Sequence, residues 1–325
     1  MIKGLKFLVA LTVPACLIIY SSCNSNHSAE GDKAADTTAA TPAVDSVKLS
    51  VERGAYLANH VTICLDCHSE RNFKKFAGPL LPATEGKGGE RFGPEFGLPG
   101  EVFAKNITPS GIGDWTDAEV IRAITQGVNK KGDTLFPLMP YLHYARMAEQ
   151  DIKDIVAYIR TLKPIENKVP DRKLFIPIAA AVPPLPNGQL SQSKPDPSDL
   201  VKYGEYLVSS AACSDCHTPM VKGQFDFSKA FSGGRAFKAP GFTVVSPNVT
   251  PDSATGIGTW TEQMFLEKFK TNSAKENLDK EPGKFNTIMP WAFYGQMKES
   301  DLKAIFAYLK TVKPVKNKVE KWPKS

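Results

Sequence analysis

Two short stretches of this 325-residue chain share an unusual spacing of reactive side chains. The first reads CLDCH from Cys64, and the second reads CSDCH from Cys213. In each, two thiols lie three residues apart and an imidazole follows directly. The other two cysteines, Cys16 and Cys23, fall in or directly after an apolar N-terminal run. Each stretch must therefore act with its own two thiols and one imidazole.

The C-x-x-C-H spacing is typical of covalent attachment of c-type haem. The two thiols can reach the two vinyl groups of one porphyrin, and the adjacent histidine can bind the iron. A redox dithiol, a zinc site and a structural disulfide are the competing interpretations. The first needs a βαβ setting that is missing, and the second needs further ligands. The sequence predicts two covalently bound haem c groups, held by Cys64, Cys67, His68, Cys213, Cys216 and His217.

Both stretches belong to a longer repeat with a shift of about 150 residues. Since single domains usually have roughly 100 to 200 residues, the chain is long enough for one domain per copy. Three blocks recur in the same order, and this predicts a duplication. The blocks are GAYLANHVTICLDCHS from Gly54 and GEYLVSSAACSDCHT from Gly204, NITPSGIGDWTDAEV from Asn106 and NVTPDSATGIGTWTEQM from Asn248, and LMPYLHYARMAEQDIKDIVAYIRTLKP from Leu138 and IMPWAFYGQMKESDLKAIFAYLKTVKP from Ile288.

A six-coordinate haem needs a second axial ligand, and methionine in that position raises the reduction potential. Met139 and Met289 are at equivalent positions about 70 residues after their histidines, each between an aliphatic residue and a proline. They are the predicted iron ligands, together with the two motif histidines. Met147 and Met297 are rivals at the start of the last helix, where methionine usually fills gaps in a core.

Two other histidines and two tryptophans are predicted to lie outside the set of iron ligands. His60 and His143 have no histidine counterpart in the second copy, which favours surface or packing positions over iron ligation. Trp115 and Trp260 recur after a Gly-Ile-Gly stretch and are expected to pack near the haem edge.

Apolar residues recur every three to four positions near the end of each copy, as in an amphipathic helix: Ile152, Ile155, Val156, Ile159 and Leu162, and Leu302, Ile305, Phe306 and Leu309. A shorter helix is predicted after each tryptophan, capped by Thr116 or Asp117 and by Thr261. Strand signals are sparse. The predicted fold class is all-α, with each haem supplying much of its domain's core.

The N-terminus has the pattern of an export signal. Lys3 and Lys6 precede an apolar run over residues 7–20, which is short for a membrane span. Small residues then precede Cys23, the predicted site of lipidation; Cys16 is a weaker candidate, and cleavage without a lipid is the alternative. A single lipidated cysteine would hold the chain at a membrane surface.

The predicted segments are a signal peptide (1–22), a flexible tether (23–48), a first domain (49–165), a Pro-rich linker (166–198), a second domain (199–318) and a tail (319–325). The linker contains an apolar patch, LFIPIAAAV from Leu174, which is expected to pack along the domains. The net charge of +6 falls to +4 when the two signal lysines are removed, so it gives no reason to infer a nucleic-acid partner.

These residues resemble class I cytochrome c, in which an N-terminal helix leads to CxxCH and a C-terminal helix follows the methionine loop. The blocks NITPSGIGDWTDAE, LMPY and DIKDIVAYIRTLKP are also similar to the cytochrome subunits of membrane-bound alcohol and gluconate dehydrogenases. Those subunits carry three haem domains, whereas this chain has two motifs. The resemblance implies two tandem class I cytochrome c domains, each with a few helices around a haem.

The predicted function is electron transfer, without catalysis by the chain itself. Electrons would come from a dehydrogenase or a quinol-oxidising complex and go to an oxidase or a small cytochrome. The alternatives are a dihaem peroxidase and the electron-accepting subunit of a dehydrogenase complex. The predicted location is the periplasmic side of a bacterial membrane, with the chain held there by its lipid.

Overall fold

The computed structural model describes residues 43–221 and 223–323. The predicted signal peptide, Cys23 and most of the tether lie outside these residues. The first helix begins at Ala43, so residues 43–48 are helical although the sequence analysis assigned them to the tether.

Most of the regular structure is helical, in agreement with the predicted fold class. In the first copy the helices are α1 (Ala43–Tyr56), α2 (Cys64–Cys67), α3 (Pro109–Ile112), α4 (Asp117–Gln126), α5 (Tyr141–Tyr144) and α6 (Glu149–Ile159). In the second copy they are α7 (Leu200–Ser210), α8 (Cys213–His217), α9 (Glu262–Ser273), α10 (Lys275–Leu278), α11 (Trp291–Tyr294) and α12 (Glu299–Leu309). Within the described ranges, none of the helices has the length and apolarity that a membrane crossing requires.

In each copy the helix before the motif crosses the last helix at a glycine. A Cβ atom on Gly54 of α1 would lie 1.8 Å from the carbonyl oxygen of Asp154 in α6. A Cβ atom on Gly204 of α7 would lie 1.9 Å from the carbonyl oxygen of Ala304 in α12. The two backbones can meet only because these positions lack a side chain.

The predicted helix after each tryptophan is present and capped as expected. Thr116 caps α4 in a reciprocal capping box, accepting from the Glu119 N–H while the Glu119 carboxylate accepts from the Thr116 N–H. Thr261 caps α9 by accepting from the Met264 N–H. The apolar positions predicted for α6 and α12 are buried, which confirms the amphipathic pattern.

The prediction of an all-α fold is incomplete, because the described residues include seven short strands. They are β1 (Arg91–Phe92), β2 (Gly100–Phe103), β3 (Lys173–Leu174), β4 (Met220–Val221), β5 (Gln224–Phe225), β6 (Ala236–Ala239) and β7 (Phe242–Val245). All pairs are antiparallel, in the orders β1-β2-β3, β4-β5 and β6-β7. Strands of two to four residues are too short to produce a recognisable alternation of apolar and polar residues.

The linker runs along the first copy, and its apolar patch packs in part as predicted. Its only strand, β3, pairs with Gly100 and Glu101 of β2. Leu174, Ile178 and Val182 are half-buried, whereas Phe175 is 76% exposed. The segment is thus held by backbone pairing together with partial burial of its side chains.

The two copies share one continuous cluster of buried apolar side chains. Helix α11 of the second copy packs against the helical turn Leu57–Val61 that continues α1, and helix α5 of the first copy packs against α7. Each methionine-side helix therefore contacts the other copy's motif-side helix. We call this region the crossed interface.

Candidate functional site

Both CxxCH motifs lie on short helices that follow a sharp change of backbone direction. Ile63, before α2, has φ = 44°, and Ala212, before α8, has φ = 49°. A left-handed conformation is uncommon for a residue other than glycine and rare for a β-branched one such as isoleucine. The turn ends the preceding helix and begins a new helix that carries both thiols.

The motif histidines are oriented by backbone carbonyl groups. His68 Nδ1 lies 2.6 Å from the Lys105 carbonyl oxygen, and His217 Nδ1 lies 2.9 Å from that of Pro247. Since a carbonyl can only accept, Nδ1 carries the proton and Nε2 has a free lone pair. Burial lowers the pKa of both imidazoles, while the hydrogen bond opposes this shift. Both rings are thereby prepared to bind a metal through Nε2.

The repeated Asn-x-Thr-Pro blocks hold these carbonyl groups in place. Asn106 directly follows Lys105, and its Nδ2 donates to the Ile165 carbonyl at 2.8 Å. Its Oδ1 accepts from the Thr108 hydroxyl at 2.7 Å. Asn248 and Thr250 form the same bonds in the second copy. Sequence reasoning noted these blocks as repeats without assigning them a role.

The two predicted methionine ligands occupy equivalent, partly buried places. Met139 and Met289 pack against the apolar cluster, directly before α5 and α11. Their rivals, Met147 and Met297, are 1% and 6% exposed and fill the core before α6 and α12, as expected. This difference in burial favours Met139 and Met289 as accessible sulfur donors.

A buried tyrosine joins each methionine segment to the motif of its own copy. The Tyr144 hydroxyl of α5 donates to the Thr62 carbonyl at 3.0 Å, two residues before the first motif. The Tyr294 hydroxyl of α11 donates to the Ala211 carbonyl at 2.8 Å, two residues before the second. The structure thus ties the helix that follows each methionine to the residues just before the CxxCH motif of the same copy, although methionine and motif are about 70 residues apart in sequence.

Paired Tyr–Asp hydrogen bonds connect the two copies. The Tyr56 hydroxyl donates to Asp301 Oδ2 at 2.6 Å, and the Tyr206 hydroxyl donates to Asp151 Oδ2 at 2.7 Å. Tyr56 and Tyr206 are equivalent in the repeat, as are the two aspartates. Each hydroxyl also accepts a backbone N–H, from Lys298 and Ala148 respectively.

The two unassigned histidines also contact the opposite copy. His143 Nε2 lies 2.7 Å from Oδ1 of Asp215, which is inside the second motif. His60 Nδ1 lies 3.3 Å from the Phe293 carbonyl oxygen in α11. Their lack of a counterpart in the repeat favoured surface or packing positions over iron ligation, but it gave no indication of these partners.

The motif thiols do not have the properties of a reactive dithiol. All four are free cysteines, and partial burial raises the pKa of Cys64, Cys67 and Cys213, to about 12 for Cys213. A redox dithiol needs a lowered thiol pKa. Across residues 43–221 and 223–323, no three His, Cys, Asp or Glu side chains form a group that could hold a metal ion, as a zinc site would.

Charged groups near the motifs differ between the copies. Asp66 forms a buried ion pair with Arg71 at 2.8 Å, and half-buried Glu90 lies close to both. Burial raises the pKa of Glu90, with Arg71 opposing the shift. In the second copy, the Arg235 guanidinium donates to the Asp215 carbonyl.

Comparison with known proteins gives one family and several relatives. Residues 201–313 match the family model described as Cytochrome c. The chain is 29% identical over 303 residues to the cytochrome c subunit of alcohol dehydrogenase (quinone) from Gluconobacter oxydans, covering 85% of this chain and 57% of that protein. It is 28% identical over 293 residues to the fructose dehydrogenase cytochrome subunit of Gluconobacter japonicus, covering 86% of this chain and 55% of that subunit.

A shorter relative is covered more completely. The diheme cytochrome c-type protein of Cereibacter sphaeroides is 28% identical over 259 residues, or 77% of this chain and 81% of that protein. By contrast, the chain spans little more than half the length of the dehydrogenase subunits it matches.

Proposed function

This chain belongs to the cytochrome c family, and from that premise we propose that it carries electrons through two covalently bound haem c groups, one in each copy. The observation that carries the proposal is the repeated arrangement of a buried imidazole with a free Nε2, two free thiols and a methionine segment tied to them. The names of the relatives support electron transfer by a non-catalytic subunit and give no support to a peroxidase.

In the first copy, Cys64 and Cys67 would hold haem c through thioethers, and His68 and Met139 would bind its iron. In the second copy, Cys213, Cys216, His217 and Met289 would have the same roles. When bound, haem would supply an iron that gains and loses one electron. The carbonyl groups of Lys105 and Pro247 orient each imidazole so that its Nε2 is available. A histidine and a methionine set aside for each iron favour an electron carrier over an enzyme that binds a substrate there.

The names of the relatives also support a dehydrogenase as the redox partner. The relatives from Gluconobacter are cytochrome subunits of dehydrogenases. By analogy, this chain takes electrons from a dehydrogenase or a quinol-oxidising complex and gives them to an oxidase or a small cytochrome. It does so as two tandem class I domains, 49–165 and 199–318, joined by the linker 166–198.

Export and lipidation complete the proposal. Residues 1–22 are a signal peptide, and a lipid on Cys23 holds the chain on the periplasmic side of a bacterial membrane. Mass spectrometry of the chain extracted from membranes should find a lipidated Cys23 at its N-terminus, and Cys23→Ser should release the chain from the membrane. An unmodified N-terminus at another residue would contradict the anchor.

The test of haem binding uses the full chain, produced with a haem-ligation system. A pyridine haemochrome assay should find two haems per chain, and the oxidised protein should show the near-infrared band of methionine ligation. The double variant Met139→Ala, Met289→Ala should lose this band, while the control Met147→Leu, Met297→Leu should keep it. One haem per chain, or a high-spin site in the unmutated protein, would contradict the proposal.

A further inference from the structure

The loop that follows each motif is fixed to the motif histidine in the same way. A glycine N–H donates to the histidine carbonyl at 2.8 Å in the first copy and 2.7 Å in the second. These glycines are Gly88 and Gly233, and two residues after them come Glu90 and Arg235. The fold therefore holds opposite charges at equivalent places beside the two sites.

Both charged side chains are partly buried. The Arg235 guanidinium donates to the Asp215 carbonyl inside the motif and lies over the rings of Phe225 and Phe237, at 5.5 and 4.9 Å from the ring centres. The backbone of Glu90 is fixed by its carbonyl, which accepts from the Ala104 N–H at 3.0 Å. Because both side chains are partly buried, water and salt screen their charges less than they screen fully exposed ones.

The other charges near the first motif cancel. Asp66 is paired with Arg71 at 2.8 Å, and Glu70 is paired with Lys87 at 2.8 Å. Glu90 forms no ion pair with any described residue. The first site therefore keeps one negative charge.

The charges at the second motif cancel. Asp215 contacts His143 at 2.7 Å, and Arg235 forms no ion pair within the described ranges. The Arg235 guanidinium therefore offsets the charge of the Asp215 carboxylate. The second site is thus more positive than the first by one unit charge.

We propose that the iron of the second copy has the higher reduction potential, so that electrons pass within the chain from the first copy to the second. The proposal rests on the proposed function, since it requires a haem in each copy. A nearby negative charge stabilises the oxidised iron, which has one more positive charge than the reduced iron, and a positive charge has the opposite effect. In each transfer the first iron(II) loses one electron and the second iron(III) gains it. The proposed axial ligands are the same in both copies and give no difference of their own.

The test is a potentiometric titration of the full two-haem chain, followed by its visible spectrum. The unmutated chain should titrate in two steps. Glu90→Gln should raise the lower step, and Arg235→Gln should lower the upper step, each changing the equilibrium constant roughly tenfold, about 59 mV for one electron. The controls Glu95→Gln and Lys238→Gln remove charges from the same two regions and should leave both steps in place. Arg235→Lys keeps the charge and should preserve the upper step.

Measuring haem content on the same samples separates the two proposals. Fewer than two haems per chain would overturn the proposed function and the order of potentials together. With two haems present, a single titration step would overturn the order alone. So would a shift of the upper step by Glu90→Gln, a shift of the lower step by Arg235→Gln, or variants that leave both steps unchanged.

Discussion

The two ends of the crossed interface make the same contact in different electrostatic surroundings. Tyr206 donates to Asp151, and Arg53 binds that carboxylate at 3.0 Å. Tyr56 donates to Asp301, which forms no ion pair with a described residue. At the place equivalent to Arg53, the second copy has a tyrosine, Tyr203.

The comparison shows which part of the contact sets its geometry. Both hydroxyl groups donate to a carboxylate and accept a backbone N–H, whether or not the carboxylate has an ion-pair partner. The geometry of the Tyr–Asp bond therefore does not depend on the arginine. Arg53 makes Asp151 part of a buried ion pair, whereas Asp301 has no such partner among the described residues. The free energy of unfolding should therefore fall by different amounts when each aspartate is replaced by asparagine.

The largest effect is expected from removing the Asp151 charge. Asp151→Asn leaves Arg53 without its partner in a mostly buried position, which should lower the free energy of unfolding by about 3 kcal/mol. Asp301→Asn removes a charge that has no ion-pair partner among the described residues and keeps an acceptor for Tyr56, so about 1 kcal/mol is expected. Denaturant unfolding of the full chain measures both. Equal losses would mean that Arg53 contributes nothing to the interface.

The next effect should be the same in both copies. Gly54→Ala and Gly204→Ala each place a methyl group against a backbone carbonyl of the crossing helix. We expect a loss of about 2 kcal/mol from each, because a well-packed crossing must separate to accept the added atom. Thermal or denaturant unfolding can be used. A clearly smaller loss in one copy would show that its crossing can relax.

A smaller effect is expected from the hydroxyl groups. Tyr56→Phe and Tyr206→Phe should each cost about 1.5 kcal/mol, since each removes a hydrogen bond to a charged group. If the Tyr–Asp bond has the same strength with and without Arg53, the two losses should agree closely when unfolding is measured under the same conditions. A much larger loss for Tyr206→Phe would indicate that its bond depends on Arg53.

The smallest effect comes from another difference between the copies. After the shared NKV sequence, the first copy has the exposed Asp171 and the second has the partly buried Lys321. Burial lowers the pKa of Lys321 to about 8, from 10.5. The folded chain therefore binds the proton of the Lys321 amine less tightly than the unfolded chain does. The free-energy cost of burying the charged amine is fully present below pH 8 and disappears as the pH rises towards 10.5.

Lys321→Met should therefore stabilise the protein by about 1 kcal/mol at pH 7, after allowance for the partial exposure of the amine. The gain should shrink towards zero near pH 10.5. Unfolding measured at several pH values gives the comparison, and a gain that does not depend on pH would assign the effect to packing. Lys318→Met, three residues earlier at an exposed position, is the control for loss of a surface lysine and should change the free energy of unfolding little.

Local signals in the sequence predicted the local structure well. The caps at Thr116 and Thr261 and the amphipathic helices depend on neighbouring residues, and the structure confirms them. The short strands and the exposed Phe175 were missed because backbone pairing between distant segments leaves no pattern in the side chains.

The residues of the candidate site also fall into those that a local pattern predicts and those whose partners are distant in sequence. The spacing of the motif thiols and histidines predicts them as haem-binding residues, and repetition predicts Met139 and Met289; these stay predictions. The partner of His143 could not be found, because Asp215 is 72 residues away in the other copy. Tyr56 and Asp301 are separated by 245 residues, and nothing in either segment points to the other.

The crossed interface has the pattern of a homodimer. In a twofold dimer, residue i of one subunit meets residue j of the other, and j meets i in return. Here the Tyr–Asp pair is made in both directions between two copies that share one chain. A single-copy ancestor forming a symmetric dimer would have had this contact already, so gene duplication and fusion needed to add only a connecting segment. Once both copies were in one polypeptide, their sequences could diverge independently, and substitutions impossible in identical subunits became available to selection.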